Sequence, residues 1–180
     1  MSEFTLLGIA GSLRRESTNR KLIREAARLF EPATFAEADI RFPLYDGDLE
    51  DSEGFPPEVQ TLADQIAAAD AVVISTTEYN KGPSGVLKNA LDWVSRTKTK
   101  PWTGKPLAVM SAAAGRAGGE RAQLVLRTFM VPFRTRILQG PELHLADARN
   151  QFDDEGRLTS ELYLRTLTDL MTSLRAEVRR

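Results

Sequence analysis

The sequence contains no cysteine, which excludes a disulfide, a thiolate metal site and a catalytic thiol. Histidine is nearly absent as well. The single one, His144, has no neighbours in sequence that suggest a triad or a metal cluster, and reads as a structural or surface residue. No apolar run approaches the roughly 20 residues of a membrane span, and Met1 to Glu3, ahead of the first such run, are too few for a signal peptide. The expectation is a soluble, cytoplasmic protein. Excess charge of one sign is also lacking: 24 Lys and Arg against 25 Asp and Glu leave a net charge of -1. No overall field steers the chain toward nucleic acid or an anionic membrane. Repeats, low-complexity tracts and linkers are missing, so the 180 residues are expected to form a single domain, 1–180.

Against these absences stand three short, continuous apolar runs: Phe4 to Ala10, Ala71 to Thr76 and Leu107 to Ala113. Each is followed by a polar or Gly-rich turn, the pattern of parallel strands buried on both faces. Weaker strands are expected from Thr34 to Ile40 and from Arg136 to Leu145. Helical spacing of apolar residues appears between them. The stripes are Leu22, Ile23, Ala26, Ala27 and Phe30; Val59, Leu62, Ala63 and Ile66; Leu87, Ala90, Leu91 and Val94; then Ala122, Val125, Leu126, Phe129, Met130 and Phe133. A last helix is expected to use Leu158, Leu162, Leu167, Leu170, Met171 and Leu174. Strands alternating with helices predict a doubly wound α/β sheet of five parallel strands with helices on both faces. The acidic loop from Arg41 to Pro57 offers no calcium-loop spacing and reads as a solvated loop, so no metal site is expected.

The segment Gly11-Ser12-Leu13-Arg14-Arg15-Glu16-Ser17-Thr18-Asn19 joins the first strand to a helix. A strand that ends at glycine and turns at once into a helix leaves backbone N–H groups for an anion, and here hydroxyls and arginine are added. The spacing is neither the GxGxxG dinucleotide fingerprint nor a P-loop, which needs a lysine after glycine. Without cysteine, a phosphatase loop is excluded, so binding a phosphate that stays on its molecule is the natural task. The competing reading is a well-capped helix, since Ser17, Thr18 and Asn19 all suit an N-cap.

In an open α/β sheet ligands bind beyond the carboxyl ends of the strands where strand order reverses. With the order 2-1-3-4-5, the crevice lies between the loops after the first and third strands. The third-strand loop reads Thr76-Thr77-Glu78-Tyr79-Asn80-Lys81-Gly82-Pro83-Ser84-Gly85 and leads into Val86-Leu87-Lys88-Asn89-Ala90-Leu91-Asp92-Trp93. Beside it falls the fourth-strand loop, Ala114-Gly115-Arg116-Ala117-Gly118-Gly119.

These motifs resemble, in order, those of the NADPH-dependent FMN reductase family, which includes bacterial quinone, chromate and azo reductases on a flavodoxin-like fold. The matching residues are Gly11-Ser12-x-Arg14-x-x-Ser17-x-Asn19, then Glu78-Tyr79-Asn80 with Leu87-Lys88-Asn89-Ala90-x-Asp92-Trp93, then the fourth-loop glycines, with weaker matches at Pro43-Leu44-Tyr45 and Ala69-Asp70. The resemblance covers Phe4 to about residue 140. It departs where the family has proline at the position of Thr77, and a Pro-Gly pair where this chain has Ser84-Gly85 after Pro83. Those departures bear on the contacts of Lys81 and Gly82.

The resemblance implies an NAD(P)H-dependent, FMN-containing oxidoreductase. Gly11, Ser12, Arg14, Ser17 and Asn19 would hold the FMN phosphate, and arginine suits this because its planar fork keeps its charge and donates two hydrogen bonds. Glu78, Tyr79, Asn80 and Lys81 would lie against the flavin ring, with Ser111, Gly115, Gly118 and Gly119 beside it. Read without the motif, Tyr79 is an ordinary loop aromatic covering the sheet edge, and a flexible turn ahead of a helix competes as the reading of Gly118-Gly119. Arg116 is either a ribose-phosphate contact or solvated. The helix containing Trp93 resembles one that meets a second subunit, implying a homodimer or homotetramer, although its apolar face also reads as internal core. The implied reaction is ping-pong: NADPH or NADH reduces the flavin and leaves, and a quinone, azo compound, chromate or free flavin then takes its place. No catalytic side chain is required, since the cofactor supplies the redox chemistry. A single-electron carrier like flavodoxin and a low-turnover flavin-binding regulator are the alternative readings.

Overall fold

In the computed structural model, residues 4–180 are described. Chain order is β1 (Thr5–Ala10), α1 (Thr18–Phe30), β2 (Thr34–Glu37), α2 (Gly47–Glu53), α3 (Pro57–Ala68), β3 (Ala71–Thr76), α4 (Gly85–Ser95), β4 (Pro106–Ala112), α5 (Glu120–Met130), β5 (Arg136–Ile137), β6 (Leu143–Leu145) and α6 (Glu161–Val178). Short 3-10 turns occupy Val131–Phe133 and Ala148–Asn150. The sheet is parallel with the order β2-β1-β3-β4-β5, and β6 also pairs with β4.

The continuous apolar runs have the two-sided burial expected of them. In β1, Leu6 and Ala10 face a core shared with α1 and α6, while Leu7 and Ile9 face a second core shared with α3, α4 and α5. β3 divides in the same way, with Val73 on one side and Val72 and Ile74 on the other, and so does β4, with Met110 opposed to Leu107 and Val109. Full burial of such a side chain is worth roughly 1.5 to 3 kcal/mol. A one-residue slip of register would exchange the two cores.

Four details differ from the sequence expectation. The fifth strand is broken into β5 and β6, because Gly140 and Pro141 intervene and proline offers no N–H to a ladder. The acidic loop contains α2, whose N-cap Asp46 accepts from the Asp48 N–H and whose first turn holds Asp48 and Glu50, where carboxylates complement the helix dipole. It buries no residue, so no apolar stripe announces it. The last helix begins at Glu161 rather than Leu158; Leu158 instead bridges to Phe152 across a short hairpin. Phe133 falls outside α5, in the turn that contains Pro132.

The loop leaving β2 is fastened to α4. Asn89 accepts from the Tyr45 N–H at 2.8 Å and donates to the Pro43 carbonyl at 2.9 Å, and the Trp93 indole N–H donates to that same carbonyl at 2.9 Å. Tyr45 packs edge-on against Trp93 with ring centroids 5.0 Å apart. Trp93 is fully buried. The sequence matches around Pro43 and around Trp93 are therefore two halves of one intramolecular clamp.

Candidate functional site

Three loops leave the carboxyl ends of β1, β3 and β4 and are tied to one another by their own polar groups. At Gly11 the backbone N–H donates to the Ser75 carbonyl at 2.8 Å, and the Gly11 carbonyl accepts from the Ser84 hydroxyl at 2.7 Å. A Cβ at Gly11 would stand 3.3 Å from the Thr76 Cα and from a Leu87 methyl, so this approach favours glycine. Ser84 also caps α4, accepting from the Leu87 N–H. The first and third loops thus share one hydroxyl.

Beyond Gly11, the Ser17 hydroxyl caps α1 by accepting from the Asn19 N–H at 3.2 Å. The first turn of α1 contains no acidic residue, so the positive end of its dipole is uncompensated. Among the described residues, the backbone N–H groups of Ser12, Leu13, Arg15 and Glu16 have no protein acceptor. Arg14 is exposed at the lip, and its guanidinium has no hydrogen-bond or ion-pair partner among the described residues. Helix capping and anion cradle therefore coexist: Ser17 caps the helix while the residues before it remain open.

Asn19, grouped with the phosphate-holding residues on resemblance, turns its side chain inward. Its Oδ1 accepts from the Ser75 hydroxyl at 2.7 Å and from the Ala112 N–H at 3.1 Å, while Nδ2 donates to the Ala112 carbonyl at 3.0 Å. One buried carboxamide thereby braces the start of α1 against β3 and β4. Ser111 is also turned away from the cleft: its fully buried hydroxyl donates to the Gly118 carbonyl at 2.6 Å and accepts from Gln123 Nε2 at 2.8 Å. Gln123 also donates to the Leu143 carbonyl.

After β3, residues 79–82 form a two-residue turn. The Tyr79 N–H donates to Gly82 O at 2.9 Å, the Gly82 N–H returns the bond to Tyr79 O at 3.0 Å, and Asn80 and Lys81 have φ of 50° and 67°. Positive φ at both central positions is the geometry of a type I′ turn, which Asn accepts and Lys resists. The turn stands at the mouth of the cleft, where backbone strain concentrates in functional loops. Tyr79 is 61 % exposed there.

After β4 the chain folds back at Gly118 and Gly119, with φ of 59° and 91°. A Cβ on Gly118 would fall 2.4 Å from the backbone of His144, and one on Gly119 would fall 2.8 Å from Ser111 Cβ. Only glycine permits this return. Because Gly119 is the N-cap of α5 and has no side chain, the missing cap is supplied from the third loop: Glu78 Oε2 accepts from the Ala122 N–H at 3.2 Å. At Gly115, by contrast, an added Cβ would meet nothing within 4 Å.

The three loops enclose a cavity of about 380 Å³, lined by Ser12, Arg14, Glu16, Ser17, Thr18 and Asn19 from the first, residues 77–79 from the third, and residues 112–114 at the end of β4 and just past it. Asn80, Lys81, Gly115, Gly118 and Gly119 lie outside this lining, around its rim or beneath it. Sequence reasoning did not single out two residues that complete the wall, Ala148 and Arg149. They follow β6 in chain order and reach the cleft only through tertiary packing, so no local motif marks them. A larger hollow of about 630 Å³ lies between α4 and the end of α5, lined by residues such as Leu91, Trp102, Phe129 and Phe133. It lies away from the loop ends where the strand order reverses. The smaller cleft combines free backbone donors, a helix N-terminus and an unpaired arginine, the chemistry of an anion anchor beside a slot. Among the described residues, no group of three or more His, Asp or Glu gathers to hold a metal.

Residues 4–150 match the family described as NADPH-dependent FMN reductase. The chain is 42 % identical over 180 residues to an NAD(P)H-dependent FMN reductase of Pseudomonas aeruginosa, covering 99 % of this chain and 97 % of that one. It is 38 % identical to a quinone reductase of Escherichia coli, over 96 % of this chain and 95 % of the relative. Among solved structures, the flavoenzyme NAD(P)H:acceptor oxidoreductase FerB from Paracoccus denitrificans superposes with a TM-score of 0.87 at 30 % identity, covering 98 % and 97 % of the two chains. The chain belongs to the NADPH-dependent FMN reductase family.

Proposed function

We propose that the cleft between the three loops holds FMN and that the protein is an NAD(P)H-dependent FMN oxidoreductase reducing quinones. The observation that supports this most strongly is the loop before α1, whose free N–H groups and unpaired Arg14 open into the same cavity as residues 77–79. The donor set fits a phosphate ester, and the cavity lies within the range of about 300 to 1,000 Å³ usual for small-molecule sites. Family membership, relatives named for FMN and quinone reduction, and the FerB structure support the same reading.

When bound, FMN supplies the two-electron redox chemistry. The chain supplies the rest. Ser12, Arg14 and Ser17 would hold the phosphate end, the 79–82 turn would offer backbone toward the ring, and the small residues 112–114 would leave room for it. Tyr79 stands at the mouth. Asn19, Ser84 and Glu78 keep the three loops at fixed separation, so the slot is preformed rather than assembled on binding. Nicotinamide and acceptor would use the same opening in turn; azo compounds, chromate and free flavin belong to the acceptor class proposed. No helix among the described residues is long and apolar enough to cross a membrane, and a cytoplasmic location is part of the proposal.

A homodimer or homotetramer is proposed too, joined through α4 and α5. Leu124 on α5 and Val131 just past it are 68 % and 72 % exposed, and the end of α5 lines the apolar hollow beside α4. Light scattering tests this: a monomeric mass at micromolar concentration contradicts it.

The activity is tested by anaerobic rapid mixing of FMN-loaded protein with NADPH or NADH, followed by benzoquinone. Full bleaching in milliseconds to seconds and recovery of colour with the quinone are expected. Failure of both nicotinamides to bleach the flavin would indicate a carrier; bleaching without recovery would indicate a regulator.

A further inference from the structure

We infer that Arg149 is the second cation of the phosphate site, carried there by a strap, residues 147–160, that Glu25 fastens to α1. This rests on the reading of the cleft as an FMN site, and it extends the phosphate anchor to a part of the chain that no motif marks.

Arg149 lines the same cavity as Arg14 and Ser17 but comes from a different wall, the turn following β6. Its guanidinium forms no hydrogen bond or ion pair with any described residue. Its neighbours are already engaged with each other: Asn150 Nδ2 donates to both carboxylate oxygens of Asp147 at 3.0 Å. The turn is held in place, since the Ala148 N–H donates to the Ala113 carbonyl at 3.1 Å and the Ala148 side chain is buried in the α1–α6 core. Arg149 therefore has a fixed backbone position and a free head.

Electrostatics explain why a second cation belongs there. A phosphate monoester carries about −1.5 to −2 charge at neutral pH, whereas Arg14 supplies a single positive charge. The acidic residues lining the cleft are Glu16, exposed on the loop, and Glu78, whose side chain caps α5. Neither favours an anion. Arg149 brings the cationic side to two.

The strap is anchored from below. Glu25 on α1, with a side chain only 2 % exposed, accepts from Arg157 Nη1 at 3.0 Å and from the Leu158 N–H at 3.3 Å, and pairs with Arg28 at 2.9 Å. Burial alone would raise its pKa, but the bonds from Arg28, Arg157 and the Leu158 N–H outweigh this and hold it below the ordinary value. The Phe152–Leu158 bridge and the bond from the Thr159 N–H to the Gln151 carbonyl close the hairpin. The hydrogen-bond partners of Glu25, namely Arg28, Arg157 and Leu158, are not part of the cleft lining, so its effect on a ligand would travel through the strap.

The test compares dissociation constants of the flavin-free protein for FMN and for riboflavin, which has the same ring and ribityl chain but no phosphate, by quenching of flavin fluorescence. Arg149→Gln should weaken FMN about tenfold or more while leaving riboflavin unchanged, the same signature as Arg14→Ala. Arg157→Ala, at a partly exposed position, should lower the FMN-over-riboflavin ratio in the same direction, and Glu25→Gln should do so provided thermal unfolding shows it folded. An Arg149→Gln ratio within twofold of the parent would overturn the inference, as would a changed NADPH-over-NADH KM ratio with the flavin ratio intact. An unchanged ratio in Arg157→Ala would overturn the role of the strap. If the parent itself shows no preference for FMN over riboflavin, the reading of the cleft fails instead, and the two failures are thereby told apart.

Discussion

Asn19→Ala separates a brace from a ligand contact. The carboxamide makes three hydrogen bonds, to the Ser75 hydroxyl at 2.7 Å, the Ala112 N–H at 3.1 Å and the Ala112 carbonyl at 3.0 Å, and all three residues are buried. Truncation removes the partners of three buried groups at once. A buried donor or acceptor left unpaired costs about 1 to 3 kcal/mol. The Ser75 hydroxyl can rotate toward another acceptor and water can enter the space, so the sum is less than three full penalties. About 3 to 5 kcal/mol is expected, a large share of the roughly 5 to 15 kcal/mol that holds a domain folded. Urea unfolding of the flavin-free protein, followed by far-UV circular dichroism, measures it; the midpoint should fall with the slope unchanged. A loss under about 1 kcal/mol, with FMN affinity reduced instead, would show that the side chain serves the ligand and would refute the reasoning.

Lys81→Gly should raise stability by about 1 kcal/mol, read as a higher Tm, because Lys81 at φ 67° occupies a conformation glycine adopts freely. Gly118→Ala should cost about 3 kcal/mol or more in a denaturant titration, combining left-handed backbone with a clash against His144, while Gly115→Ala, which opens on empty space, should change stability by less than about 0.5 kcal/mol. Glu25 has a depressed pKa in the folded state, so its stabilisation is complete above its ordinary value of 4.5 and is lost as pH falls through the folded value. The unfolding free energy of the parent should therefore drop more steeply below about pH 4.5 than that of Glu25→Gln, as measured by denaturant titration across pH. Arg14→Ala should weaken FMN by about 1.5 to 3 kcal/mol in a calorimetric titration; an unchanged constant would remove Arg14 from the site.

The central strands were legible because parallel strands buried on both faces must be largely apolar, and β1, β3 and β4 are, with Ser75, Thr76 and Ser111 as buried polar exceptions near the carboxyl ends. The stripes of α1, α3 and α4 were legible for a related reason: each helix packs against one sheet face. α2 was not, since a short helix held by Asp46 and its own acidic first turn buries nothing and leaves no apolar period. The break between β5 and β6 was signalled by Gly140-Pro141, but the run of apolar residues on either side concealed it.

At the site, the motifs pointed to loops that enclose a cavity without distinguishing the groups that face the cleft from those that hold it in shape. Ser12, Arg14 and Ser17 line the cavity, whereas the side chains of Asn19 and Ser111 point into the protein to fasten its walls. Both kinds of residue sit in the same motif because a loop that offers its N–H groups to a ligand must be pinned by something else. The roles of Asn89 and Trp93 were equally ambiguous until the Pro43 carbonyl they share was seen. Arg149 lay beyond reach altogether, because the turn that carries it is held by tertiary contacts, among them the Ala148 N–H on the Ala113 carbonyl, and the segment after it by the pair between Glu25 and Arg157, 132 residues apart.

A crystal structure of the protein grown with FMN tests the account most directly. The phosphate is expected on the N–H groups ahead of α1, within hydrogen-bond reach of Arg14, with the flavin ring between the 79–82 turn and the loop after β4. FMN seated in the hollow between α4 and α5, or with its phosphate away from residues 12–17, would contradict it.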